Sequence, residues 1–179
     1  MLFADCRGFS ALVESYPAEE VVRVLNRFFQ AATDVLLAHD ACIDKLMGDQ
    51  LMAVFGAPIV RPDHADQAVE AAVEIQTAMT ELFPRGGEPR LRIGIAINSG
   101  VALVGNLGSR EFKDFTAIGD VVNLGAHLQE QAGPGEVLVT EATTGMLAKQ
   151  PDHAAGRVVA VKGRAEPVRV TALVFPEGT

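Results

Sequence analysis

The sequence predicts an α+β fold in which a mostly antiparallel β-sheet is covered on one side by helices. Short apolar runs that end at turn residues indicate strands, and longer stretches with apolar residues at helical spacing indicate helices. Their order is βαββαβ followed by an αβαββ extension, and the first part has the order of a ferredoxin-like core. With 179 residues and no linker or repeat, we expect one domain over residues 1–179.

The first half of the chain accounts for a strand, a helix, a hairpin and a second helix. Arg7-Gly8 ends the first strand, and Ser10 is a candidate N-cap nearby. Met47-Gly48-Asp49-Gln50 has the composition of a hairpin turn between two apolar runs. The predicted strands cover residues 1–6, 41–46 and 51–55, and the predicted helices cover residues 18–39 and 63–82.

The second half of the chain is richer in strands. Asn98-Ser99-Gly100 separates two apolar runs and has the composition of a turn between strands. The predicted strands cover residues 91–99, 101–105, 115–118, 136–140, 157–161 and 168–174, and the predicted helices cover residues 121–131 and 141–147.

The net charge, the cysteines and the lengths of the apolar runs indicate which partners and which location to expect. The formal net charge is −8 at pH 7, so a protein that binds nucleic acid through its phosphates is not expected. Cys6 and Cys42 form no CxxC motif, which favours reduced thiols and a cytoplasmic location. No apolar run is long enough to span a membrane, so we expect no membrane contact by this domain. The short run before Asp5 suggests that a regulatory domain lies outside this chain, in a parent protein that a membrane segment could anchor upstream.

A pair of aspartates is the most informative feature of the sequence. Asp5 follows the apolar run Leu2-Phe3-Ala4, and Asp49 lies in the turn before Leu51-Met52-Ala53-Val54-Phe55. Mg²⁺ prefers oxygen ligands and is usually held by one or two carboxylates together with substrate phosphates. Two aspartates from separate strands therefore indicate two metals, one that activates a nucleophile and one that neutralises a leaving phosphate. The alternative is that both are ordinary turn aspartates.

Four segments together resemble the catalytic domain of the class III nucleotidyl cyclases, the adenylate and guanylate cyclase family. They occur in the order of that family and cover essentially the whole chain, so the resemblance implies the class III cyclase fold. The segments are Phe3-Ala4-Asp5-Cys6-Arg7-Gly8-Phe9-Ser10 for the first metal loop, Lys45-Leu46-Met47-Gly48-Asp49 for the second, Phe115-Thr116-Ala117-Ile118-Gly119-Asp120-Val121-Val122-Asn123-Leu124 for base and ribose recognition, and Val161-Lys162-Gly163 for phosphate binding.

The resemblance assigns a metal site and a phosphate site. It implies that Asp5 and Asp49 bind two divalent cations, Mg²⁺ or Mn²⁺, and that the Cys6 backbone carbonyl completes one site. It also implies that Arg92 and Lys162 are phosphate-binding cations, although either alone is more often a surface charge. Backbone N–H groups at the turn into a helix would bind the triphosphate. The residues of this turn are Cys6, Arg7, Gly8, Phe9 and Ser10.

Two further positions would select the base, and a third would orient the ribose. A lysine side chain only donates hydrogen bonds, so Lys45 suits the N1 acceptor of adenine and not the N1–H donor of guanine. The Thr116 hydroxyl can accept from the exocyclic amine of adenine, and guanylate cyclases typically have glutamate at the lysine position. Asn123 would hold the ribose for attack by its 3′ oxygen. The alternatives are a surface lysine, a structural threonine and an asparagine bonded to local backbone.

His127 departs from the pattern of the family, which usually has arginine here to stabilise charge on the α-phosphate. Arginine is always charged and binds phosphate through two parallel hydrogen bonds. Histidine is shorter and carries a proton only part of the time near neutral pH. Loss of one transition-state donor lowers rates by roughly 10²–10³. We therefore expect a slow or pH-sensitive cyclase, or a site reduced to nucleotide sensing.

The resemblance implies an adenylate cyclase that converts ATP to 3′,5′-cyclic AMP and pyrophosphate. It also implies a homodimer with shared active sites, in which one chain supplies the metal aspartates and the other supplies the base, ribose and phosphate residues. One alternative is a nucleotide-binding or dimerisation module without catalysis, and another is a guanylate cyclase. A ferredoxin-like metal or RNA binder is a more distant alternative, because the chain is acidic and has one tyrosine and no tryptophan.

Overall fold

The computed structural model describes residues 1–84, 90–151 and 155–175 of the chain. The predicted domain over residues 1–179 also includes 85–89, 152–154 and 176–179, which lie outside the described residues. The elements are β1 (Leu2–Arg7), α1 (Phe9–Ser15), α2 (Ala18–Ala38), β2 (Cys42–Met47), β3 (Gln50–Val54), α3 (His64–Leu82), β4 (Arg92–Ile97), β5 (Leu103–Gly108), β6 (Lys113–Ile118), α4 (Asp120–Gln129), β7 (Glu136–Thr140), α5 (Glu141–Thr144), β8 (Ala155–Val159) and β9 (Val168–Val174).

The strands form one large mixed sheet and one small ribbon. The large sheet has seven strands in the order β2-β3-β1-β4-β7-β9-β8, and β5 pairs with β6 alone. Neighbouring strands are antiparallel except β4 and β7, which are parallel. The predicted α+β class, with a βαββαβ core and a C-terminal extension, is confirmed.

Helices cover both faces of the sheet, so the prediction that they cover one side was wrong. Leu2 of β1 packs in the main core with residues of α2 and α3. Phe3 faces the other way and packs against Val121 of α4. The approach of α4 to β1 is close, because a Cβ added at Gly125 would lie 2.6 Å from Cε2 of Phe3. A strand buried on both faces has a continuous apolar run rather than an alternating one, and Met1-Leu2-Phe3-Ala4 is such a run.

Several predicted boundaries were also wrong. The strands predicted around Asn98-Ser99-Gly100 do not form a hairpin, because β4 ends at Ile97 and β5 pairs with β6 in the separate ribbon. The helix α1 was not predicted, and Ser10 lies inside it, whereas Gly8 at φ 75° is its N-cap. Seven residues with one buried side chain, Leu12, give too weak a periodic signal to detect. The strand β8 lies two residues earlier than the predicted range 157–161.

The strands β7 and β9 have the bounds that the sequence predicted. Over residues 1–84, 90–151 and 155–175, no helix is both long and apolar enough to cross a membrane.

Candidate active site

Asp5 and Asp49 lie at the same end of the sheet. Asp5 is near the end of β1, and Asp49 is in the turn between β2 and β3, where Gly48 has a positive φ of 61°. The Cys6 N–H donates to the Asp49 carbonyl oxygen at 3.3 Å, which ties this turn to β1. The predicted hairpin turn is therefore present, and it brings the two predicted metal ligands together.

The Asp5 carboxylate has an unfavourable environment. Burial raises the pKa of Asp5 to about 6, the neighbouring Asp49 charge adds to this increase, and the Arg7 guanidinium opposes it. Arg7 Nη2 lies 2.9 Å from Asp5 Oδ2, and Gln129 of α4 donates to the same oxygen at 2.9 Å. Gln50 in turn donates to Gln129 Oε1 at 3.0 Å. The Asp5 carboxylate, which the Asp49 charge repels, is thus held in place by one neutral and one cationic donor.

This donor set fits a hard divalent cation. Carboxylate oxygens are suitable ligands, and a cation between them would relieve the repulsion that raises the pKa of Asp5. Within the described ranges no group of three or more His, Cys, Asp or Glu side chains gathers into a metal cage. Two carboxylates alone leave most of the coordination shell to backbone, water or substrate oxygens, which is the usual arrangement for Mg²⁺ beside phosphates.

The predicted phosphate-binding turn lies next to these carboxylates. Leu12 is the donor of the hydrogen bond to the Gly8 carbonyl at 3.2 Å, so the N–H groups of Phe9 and Ser10 precede the first full helical bond. The Cys6 N–H differs from them, since it already donates to Asp49. Arg92 begins β4 directly opposite Arg7, and its Nη2 donates to the Phe175 carbonyl at 3.2 Å. The predicted phosphate cation Arg92 is thus at the metal end of the sheet.

Lys45 and Thr116 belong to a second group, between β2 and the β5–β6 ribbon. Lys45 Nζ donates to Asp114 Oδ2 at 2.7 Å and lies 3.1 Å from Asp44 Oδ1. The hydrogen bond to Asp114 raises the pKa of Lys45, partial desolvation opposes this, and the hydrogen bond to Asp44 adds to the increase. The Thr116 hydroxyl donates to the Asp44 carboxylate at 2.9 Å. The structure therefore brings together the two residues predicted to select the base.

A third group of predicted residues lines a cavity of about 210 Å³ between α4 and the loop before β9. These residues are Asn123, His127 and Lys162. His127 Nδ1 is buried without a hydrogen bond among the described residues, and the nearest carboxylate oxygen, on Glu130, is 3.7 Å away. Arg164 also lines the cavity and forms an ion pair with Asp120. A tight turn with Gly163 at φ 82° places Lys162 and Arg164 at the same cavity.

Sequence comparison places the chain in a family. Residues 1–173 match the sequence model of the adenylate and guanylate cyclase catalytic domain. The chain belongs to this family. The class III cyclase fold that the sequence predicted is confirmed by solved structures as well.

Two cyclase structures superimpose closely on this cyclase domain. The guanylyl cyclase Cya2 has a TM-score of 0.88 and 35% identity, and the match covers 96% of this chain and 88% of that one. The adenylyl cyclase CyaB from P. aeruginosa has a TM-score of 0.86 and 31% identity, over 98% of this chain and 92% of that one. Adenylate cyclase 1 of Rhizobium meliloti is 32% identical over 131 residues, which are 72% of this chain and 20% of that protein. The chain is about equally similar to a guanylyl and to an adenylyl cyclase, so these comparisons do not decide between ATP and GTP as the substrate.

The cyclase domain spans 31% of the length of curated mycobacterial relatives that match 95% of it. The regulatory domain outside this chain and the cytoplasmic location stay predictions.

Four side chains of these groups were missed by sequence reasoning. They are Asp44, Asp114, Gln129 and Arg164. Asp44 precedes Lys45, and strict alternation along a strand places neighbours on opposite faces. Gln129 is far from Asp5 in sequence, so only the packing of α4 on β1 reveals their contact. Arg164 had a usable signal, since it follows Lys162 across a glycine turn.

Proposed function

We propose that this chain is the catalytic domain of an adenylate cyclase, which converts ATP to 3′,5′-cyclic AMP and pyrophosphate. The observation that carries this proposal is the group formed by Lys45 and Thr116, because its hydrogen-bonding pattern complements adenine. Lys45 can only donate, which suits N1 of adenine and opposes N1–H of guanine. Thr116 already donates its hydroxyl hydrogen to Asp44, so its oxygen is left to accept from the exocyclic amine of adenine.

The chemistry of cyclisation needs positioning and charge neutralisation rather than a protein nucleophile. The ribose 3′ hydroxyl gives its proton to solvent water, and its oxygen attacks the α-phosphorus in line. The new O3′–P bond forms as the bond to the pyrophosphate oxygen breaks, and pyrophosphate leaves. Asn123 orients the ribose, while Arg92 and Lys162 bind phosphate oxygens. His127 would lie beside the α-phosphate and donate a hydrogen bond to it.

Asp5 and Asp49 would hold two divalent cations, Mg²⁺ or Mn²⁺. When bound, these cations lower the pKa of the ribose hydroxyl and neutralise charge on the triphosphate. Arg7 and Gln129 keep the Asp5 carboxylate oriented through their hydrogen bonds. The N–H groups at the start of α1 add donors for the phosphates.

We also propose that the active site forms between two copies of the chain. The β5–β6 ribbon and the turn within it expose large apolar side chains, among them Leu103 and Phe112, each 75% exposed. Apolar surface of this kind marks a contact with a partner. A two-fold dimer would pair the metal aspartates of one chain with the base and ribose residues of the other, and would form two equivalent sites.

Product analysis with Mn²⁺ tests this proposal. Purified protein is incubated with ATP or GTP, and cyclic AMP and cyclic GMP are quantified alongside an Asp5→Ala variant. Cyclic AMP that disappears in the variant supports the proposal. A protein that binds ATP in a metal-dependent manner but forms no product would instead support the second candidate, a nucleotide-binding module, which is favoured by histidine at position 127 where the family usually has arginine. Sedimentation analysis of the same samples tests the homodimer.

A further inference from the structure

A β-bulge in β2 places two consecutive residues on the same face of the sheet. Ile43 pairs with Ala53 and Lys45 pairs with Met52, so the register shifts by one residue and Asp44 has no partner. Residues of a regular strand alternate between faces, and a bulge re-aims a side chain at the cost of one ladder position. Because of the bulge, both Asp44 and Lys45 contact the β5–β6 ribbon.

Asp44 has a buried carboxylate, and its partners are the two proposed base-selecting residues, Lys45 and Thr116, together with the Ala117 N–H. Its side chain is 2% exposed, although ionised carboxylates are rarely buried to this extent. It accepts the Thr116 hydroxyl at 3.0 and 2.9 Å, the Ala117 N–H at 3.0 Å and the Lys45 ammonium at 3.1 Å. The Lys45 ammonium and the Ala117 N–H can only donate, and the Thr116 hydroxyl is the donor in both of its contacts with Asp44.

This constraint fixes what the group presents to a base. A threonine hydroxyl has one hydrogen and two lone pairs, and the hydrogen of Thr116 is committed to Asp44. Thr116, which is 7% exposed, can therefore only accept from a ligand. The Lys45 ammonium has three donors, of which Asp114 and Asp44 take two, so one remains. One donor beside one acceptor is the complement of N1 and the amine of adenine.

We propose that Asp44 is a specificity-determining positioning residue, which orients the Thr116 hydroxyl so that the site accepts ATP and rejects GTP. This inference rests on the proposed nucleotide site. A hydroxyl that could rotate would donate to O6 of guanine as readily as it accepts from the amine of adenine. The Asp44 carboxylate prevents the Thr116 hydroxyl from rotating. With guanine bound, the Thr116 oxygen would then face O6, and two acceptors would face each other.

The experiment compares ATP with GTP in four variants of the full chain. Asp44→Asn introduces an amide that donates as well as accepts, so the Thr116 hydroxyl can reverse. Thr116→Val removes the hydroxyl but keeps the shape of the side chain, and the double variant combines both. Asp66→Asn is the matched control, because Asp66 also accepts a backbone N–H, from Ala148 at 3.0 Å, but lies on α3. For each protein, kcat/KM and the dissociation constant are measured for both nucleotides, and thermal unfolding verifies folding.

We expect Asp44→Asn to lower the ratio of kcat/KM for ATP over GTP about tenfold, the effect of one mismatched hydrogen bond. Thr116→Val should lower the ratio similarly, the double variant should add nothing further, and Asp66→Asn should leave the ratio unchanged. An equal loss for both nucleotides in Asp44→Asn would show a purely structural role and overturn the inference. If Asp44→Asn does not fold, an unchanged ratio in Thr116→Val overturns it.

The binding measurement separates this inference from the proposed function. If the wild-type protein forms no cyclic product, the proposed activity fails, but a fall in the ratio of the two binding affinities in Asp44→Asn still supports the role of Asp44. If the wild-type protein cyclises ATP and Asp44→Asn keeps the full preference, the activity stands and the inference fails. A wild-type preference for GTP overturns both.

Discussion

Neutralising Asp5 should stabilise the metal-free fold at neutral pH. The pKa of Asp5 is raised from 3.8 to about 6, first by burial and then by the Asp49 charge. The ionised form is therefore disfavoured in the folded state relative to the unfolded chain. The side-chain amide of an Asp5→Asn variant has no charge, so the substitution removes the desolvation and the repulsion together with the weaker attraction to Arg7.

The magnitude follows from the shift. About two pKa units correspond to roughly 3 kcal/mol at full effect, and solvent screening at this partly exposed carboxylate reduces the gain to about 1–2 kcal/mol. A raised carboxylate pKa destabilises the fold above the folded pKa and has no effect below the unfolded pKa. The gain should therefore be present at about pH 7.5 and largely absent near pH 4.

Urea unfolding with a chelator measures this effect at both pH values, with Asp34→Asn as the control for loss of an exposed charge. Asp34 lies on α2 and accepts a hydrogen bond from Gln30, one helical turn earlier. Addition of Mn²⁺ should raise the unfolding free energy of the wild type and not that of Asp5→Asn, since only the wild type keeps both carboxylates. A lower stability of Asp5→Asn at neutral pH, or an equal gain at both pH values, would refute the reasoning.

Three further predictions concern α4 and the C-terminal end of α2. His127→Arg should raise cyclic AMP turnover at least tenfold, because arginine binds phosphate through two parallel hydrogen bonds and histidine is shorter with fewer donors; unchanged turnover in a product assay would contradict this role. Gly125→Ala should lower the free energy of unfolding by about 1–3 kcal/mol, because the added methyl overlaps the buried Phe3 ring, and urea unfolding measures the loss. Burial lowers the pKa of His39, but hydrogen bonds to Glu74 and Gln67 outweigh burial, and the net pKa is raised. Protonated His39 therefore stabilises the fold fully below about pH 6.5, and this stabilisation is lost as pH rises through the higher folded pKa. His39→Asn should remove that pH dependence of the unfolding free energy, and a slope that persists would assign it elsewhere.

The parts of the fold that the sequence predicted well depend on local signals. The strands β7 and β9 are short apolar runs between turn residues, and their bounds were correct. The turn at Asp49 was found because glycine and aspartate punctuate two apolar runs. The pairing of β5 with β6 was missed because strand partners depend on contacts between residues far apart in sequence.

The candidate site shows the same division. The positions of Asp5, Asp49, Lys45 and Thr116 followed from motifs, whose spacing is a property of the sequence. The role of Asp44 could not be found in this way, because a bulge shifts the alternation that sequence reasoning assumes. Buried polar groups form hydrogen bonds with the groups that the fold places next to them. These partners are known only when the packing of the helices and strands is known.

The β5–β6 ribbon takes part both in the proposed recognition of the base and in the proposed contact with a second copy of the chain. It is not part of the large sheet, and it contacts β2 through the bonds of Asp44 and Lys45 to Thr116 and Asp114. The same ribbon exposes the apolar side chains proposed to meet a second copy. Whatever orients the ribbon for assembly also orients the base-reading hydroxyl, and thermodynamic coupling of this kind is reciprocal. If the proposed dimer and the proposed adenine site are both correct, ATP should therefore tighten self-association, which sedimentation analysis with and without ATP measures.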